Sequence, residues 1–146
     1  MKKSGIDTGD WVVVCDGRKA LILENRGDAK FPNLHTRETR EHPDLPTHLQ
    51  GSAPPGVSHQ SVGHQTDWHD QAERSFLHEL AKRLDGALSH RQVKNLTLVA
   101  SPRALGMLRE AYTASIRAAL RQEIAKDVVK FPIHEIERLV CGDDAA

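Results

Sequence analysis

Two short apolar runs stand near the start of the chain, residues 12–15 and 20–23, both rich in Val, Leu and Ile. Asp16-Gly17 follows the first of them directly. Asp-Gly between two such runs predicts a β-hairpin with a type I′ turn, because that turn needs positive φ at both central residues. Asn25 to Gly27 ends the second strand. Residues 33–40 alternate weakly and predict a third strand with Leu34, Thr36 and Glu38 on one face. Its charges suit a sheet edge, where they discourage pairing between sheets. Over residues 70–88 the period changes to that of a helix. Phe76, Leu77, Leu80, Leu84 and Leu88 form a stripe widened by Ala72, Ala81 and Ala87. Residues 95–100 are a nearly continuous apolar run, the pattern of a strand buried on both faces. Ser101-Pro102 then opens a helix that runs to about Tyr112, with Ser as N-cap and Pro in the first turn. A short helix near residues 113–116 and a strand near 118–124 follow, although one longer helix fits the same periodicity. Pro132 opens a last helix with Ile133, Ile136, Leu139 and Val140 on one face.

Residues 42–69 differ in kind. They contain no Lys or Arg, and they hold two Asp, four Pro, three Gly and five His. Their few apolar residues have no period, so the stretch reads as a mobile loop. The order β-β-β, loop, α-β-α-β-α predicts an α/β sandwich with a mixed sheet.

At 146 residues the chain suits a single domain, residues 1–146. A domain of this size buries roughly 70% of its unfolded surface and needs no staples. Twenty basic and twenty acidic residues leave no net charge, which argues against a duplex-DNA binder. No apolar run approaches the ~18 residues of a membrane span, and the first residues lack the apolar core of a secretory signal. The expectation is a cytoplasmic protein. Its two cysteines, Cys15 and Cys141, form no Cys-x-x-Cys pattern, and Cys15 reads as a small buried filler. Nothing in the pattern sets an oligomeric state.

Three segments carry a resemblance. They are W-V-V-V-C-D-G-R-K-A-L-I-L-E-N-R-G at residues 11–27, S-P-R-A-L-G-M-L-R at 101–109 and K-D-V-V-K-F-P-I-H-E-I-E-R at 126–138. With them the chain resembles the bacterial host-attachment proteins, a family similar in fold to the middle domain of archaeo-eukaryotic peptide-chain release factors. The likeness covers nearly the whole chain. Cys15 stands where a small residue is common, and Val128-Val129 where Leu-Thr is typical. The resemblance implies an α/β sandwich and a partner in the translation machinery, a ribosome or tRNA. In release factors a Gly-Gly-Gln loop before the equivalent long helix positions water against the ester of peptidyl-tRNA. Here Gly63-His64-Gln65 occupies that place. His64 replaces a glycine and lacks its backbone freedom, so these three residues are weak catalytic candidates.

Other candidates come from residue chemistry. A helix N-terminus favours anions, so Ser101 with Arg103, extended to Arg109, is a candidate phosphate or RNA contact. From Pro102 to Lys130 six basic residues face three acids: Arg103, Arg109, Arg117, Arg121, Lys126 and Lys130 against Glu110, Glu123 and Asp127. Tyr112 is the only aromatic residue in that stretch, so base reading by stacking is not expected, and a solvated charged face is the plainer reading. His59, His64 and His69 recur every five residues, which is not a zinc-ligand spacing. Asp16, with Glu24 and Asp127 as imaginable partners, has the residue type of a sheet nuclease's metal ligand, but its simpler role is in the turn. No metal and no cofactor are expected. The leading expectation is a non-enzymatic domain acting on translation machinery or RNA. One alternative is a peptidyl-tRNA hydrolase using Gly63, His64 and Gln65, and another is a protein-interaction module affecting attachment indirectly.

Overall fold

Every residue of β1, Trp11–Cys15, is buried, and this decides the layering. The structure is a computed structural model that describes residues 5–42 and 62–142, with side chains in the second stretch from residue 69 onward. Alternate residues of a strand face opposite sides. Trp11, Val13 and Cys15 accordingly enter one core, and Val12 and Val14 enter another. β1 sits in the middle of a five-stranded sheet of order β3-β2-β1-β4-β5. Its neighbours are β2, Lys19–Asn25, paired antiparallel, and β4, Leu96–Ala100, paired parallel. β3, Leu34–Glu41, closes one edge antiparallel to β2. β5, Leu120–Ala125, closes the other parallel to β4. The sheet is therefore mixed, as expected.

On one face lies α1, Val62–Ser89, with α2, Pro102–Arg109, and α3, Ala114–Ala119, beside it. Leu77, Leu80, Leu84 and Ala87 of α1 pack on Val13, Ile22 and Leu98 in one cluster. The other face is covered by α4, Ile133–Val140, through Ile136 and Val140, together with Val128 and Val129. Ile6 and Leu34 complete that second cluster.

Three expectations change. α1 begins at Val62, not at residue 70, so the stretch expected as loop is helical in its last part. Residues 43–61 of that expected loop lie outside the described residues. The β1–β2 connection is not a two-residue type I′ turn. Cys15 pairs with Ala20 and β2 begins at Lys19, which leaves three residues between the strands, and neither Asp16 nor Gly17 has positive φ. Asp16 Oδ1 instead accepts from the amides of Arg18 (2.8 Å) and Lys19 (2.9 Å), a side-chain turn that competes with the tighter hairpin. Finally, Leu34, Thr36 and Glu38 do not share one face. The register shifts so that Leu23 pairs with Thr36 and Ile22 with Glu38, leaving Arg37 unpaired. This bulge carries Glu38 to the α1 side, where Arg83 holds it at 2.9 Å.

Candidate functional site

β1 and β4 run parallel and end side by side at Cys15 and Ala100. The crevice at such carboxyl ends is where open α/β sheets tend to bind ligands. Ser101 follows β4 and caps α2, its hydroxyl accepting from the amide of Ala104 at 3.3 Å, with Pro102 in the first turn. Two residues into the helix, Arg103 reaches across to α1. Its Nε donates to Glu73 at 3.0 Å and its Nη2 donates to Asp70. The hydrogen bonds to Glu73 and then Asp70 raise the Arg103 pKa above its ordinary value. A Cβ on Gly17 would lie 2.7 Å from Glu73 Cδ. The glycine of the turn thus serves close approach, letting Glu73 lie over the end of β1. The Ser101 hydroxyl is used in capping, and Arg103 is engaged by two carboxylates. An anion arriving here competes with both acids.

Arg109 stands at the other end of α2, about 9 Å further along the helix. The candidate anion residues are therefore not gathered at one point. Arg109 Nη2 donates to Glu123 Oε1 of β5 at 2.6 Å, and its Nε donates to the same oxygen at 3.2 Å. The Tyr112 hydroxyl donates to the other oxygen of that carboxylate. Arg109 first, and Tyr112 after it, hold the Glu123 carboxyl below the usual range against the opposing effect of burial. Burial, followed by the bond to Glu123, pushes the Tyr112 hydroxyl up. Nearby, Arg121 Nη1 donates to Asp10 at 2.9 Å and Asp7 at 3.1 Å. Asp10 is buried and also accepts from Asn95 at 3.1 Å, so this network fastens β5 to the start of β1.

Arg109, Tyr112, Arg117, Leu120, Arg121, Gln122 and Glu123 line an open groove of about 550 Å³. The sequence marked its three arginines as part of a basic run. It missed that Glu123 is the hub, because the contact between Tyr112 and Glu123 depends on β5 lying beside β4. A second hollow, about 470 Å³, lies between the end of β3 and α1 and includes His42 and Phe76. Their rings meet at 6.0 Å between centroids.

Gly63, His64 and Gln65 lie in the first turn of α1 by backbone. The imagined metal set does not converge. Asp16 caps its turn at the carboxyl end of β1, whereas Glu24 pairs with Trp11 at the opposite end, next to Arg37 at 3.5 Å. Asp127 is exposed beyond β5. No group of three metal-ligating side chains occurs among the described residues, and His59 lies outside them. Cys15 is buried, and burial first, with the charge of Asp16 second, pushes its thiol up to about 12.

Residues 10–140 match the model of bacterial archaeo-eukaryotic release factor family 12, and the chain belongs to that family. Over 72 residues it is also 32% identical to an uncharacterized protein of Rickettsia prowazekii (strain Madrid E), RP470. That match covers 49% of this chain and 47% of the relative, so the chain spans about half the length of the curated relative it matches. No helix among the described residues is long and apolar enough to cross a membrane.

Proposed function

We propose that this domain works in the cytoplasm as a binding module for the translation machinery or its RNA, and not as an enzyme. Family membership over residues 10–140 supports the translation context. The observation that carries the non-hydrolytic half is the backbone of residues 63–65, which is wound into α1. A helix fixes φ and ψ at each residue, whereas a water-positioning loop needs the freedom of paired glycines. His64 adds a side chain where that freedom is needed. Any influence on host attachment follows indirectly from such binding.

The second reading, a peptidyl-tRNA hydrolase, is favoured by one specific point: Gly63 and Gln65 stand at the head of the long helix. The two readings part in an assay of peptide release from peptidyl-tRNA, with and without ribosomes. The binding module gives no release, and His64→Gly alone creates none. Turnover by the wild type that disappears in Gln65→Ala makes the protein an enzyme and ends the first reading.

A further inference from the structure

Three arginines, Arg109, Arg117 and Arg121, line the groove over β5. Glu123 belongs to its lining, and Asp7 and Asp10 stand beside it on Arg121. Glu123 is already covered by Arg109 and Tyr112. Arg109 gives Nε and Nη2 to that acid. Arg121 gives Nη1 to Asp7 and Asp10. Arg117 is exposed on α3, and its side chain has no partner among the described residues. The buried network around Asp10 fixes Arg121, and the Glu123 bonds fix Arg109, so two of the three heads are held in place before any ligand arrives.

We infer that this groove is a binding site for the sugar–phosphate backbone of structured RNA, with Arg109, Arg117 and Arg121 supplying its phosphate contacts. This rests on the proposed reading and names the surface through which it acts. Guanidinium forks match phosphate oxygens in shape as well as charge. The groove is open rather than enclosed, which suits a polymer running across it better than a small ligand that needs burial. Tyr112 is committed to Glu123 and half-buried, so recognition falls on phosphates and shape and not on stacked bases.

The test measures fluorescence anisotropy of a labelled RNA stem-loop with the full chain at 50 and 200 mM KCl. The wild type binds at the lower salt and weakens at the higher. Arg117→Glu lowers affinity about ten-fold, Arg117→Ala lowers it less and flattens the salt slope by about one unit, and Arg117→Lys keeps most of it. Arg138→Glu, an exposed site on α4 across the sheet, leaves binding unchanged. Arg117→Glu binding as tightly as wild type overturns the inference, as does an equal loss in Arg138→Glu. A glutamate-rich peptide that competes equally well and also depends on Arg117 overturns the choice of RNA. If the RNA is bound, or ribosomal fractions still co-sediment, while Arg117 is irrelevant, the groove fails and the reading of the domain stands. If neither RNA nor ribosomal fractions bind, both fail.

Discussion

At the scale of single residues, charge pairs at the carboxyl edge hold elements together. Gly17 lies against Glu73, and Glu73 holds Arg103. Gly17→Ala must push the Glu73 side chain away and so disturb that ion pair. The pair is largely exposed, so the cost expected is under about 1 kcal/mol. A double-mutant cycle reads the coupling: in a Glu73→Ala background, Gly17→Ala should have almost no effect on denaturant unfolding. Asp10 is the opposite case. It is buried and receives Asn95, Arg121 and the amide of Asp7, the last at 2.9 Å. Asp10→Ala leaves those donors unmatched, and urea titration should show a loss of about 2–3 kcal/mol. Trp11 is fully buried beneath the guanidiniums of Arg37 at 5.0 Å and Arg83 at 5.6 Å from its ring centroid. No feature of the sequence joined those three, because Arg37 comes from β3 and Arg83 from α1, far from Trp11 along the chain.

At the scale of elements, the two faces of the sheet depend on different amounts of helix. α1 contributes Leu77, Leu80 and Leu84 to the first core, whereas α4 covers the second face chiefly with Ile136 and Val140. Leu84→Ala should cost about 2–5 kcal/mol in thermal or denaturant unfolding, and Ile136→Ala a similar amount despite the short helix, since both side chains are fully enclosed. The strands β1, β2 and β4 and the start of α2 were legible in the sequence because continuous Val and Leu runs and the Ser101-Pro102 cap are local signals. The choice of a short α3 followed by β5, rather than one long helix, was left open by periodicity. Packing decided it: Ile116 and Ala119 enter the first core, and β5 pairs with β4. The early part of α1 was not legible, since residues 62–69 lack the apolar period that marks its remainder. The candidate site was legible only as a list of arginines. Which acids satisfy them depends on contacts such as Arg121 with Asp10, separated by most of the chain.

At the scale of the whole molecule, pH reports the same architecture. Arg83 holds Glu38 below the ordinary carboxylate range, and Arg109 does the same for Glu123. A folded pKa below the unfolded one means stability present above the unfolded value and lost as pH falls through the folded value. Acid should therefore weaken the fold below about pH 4, and Glu38→Gln should reduce the sensitivity. Cys15 has the reverse sign. Its folded pKa of about 12 lies above the unfolded value, so its contribution is intact at neutral pH and declines as pH rises towards 12. Its thiol should react with a maleimide only through opening of the fold, at a rate that follows global stability.

Engagement of the translation machinery through RNA, without hydrolysis of peptidyl-tRNA, can be read by sedimentation. Purified protein is added to a ribosome-containing lysate and separated on a sucrose gradient at 50 mM KCl. The protein should travel in ribosomal fractions, be released by 500 mM KCl and be depleted from them by Arg117→Glu, with peptidyl-tRNA left intact throughout. Protein that stays at the top of the gradient at low salt, or that travels with ribosomes while peptidyl-tRNA is consumed, contradicts that reading.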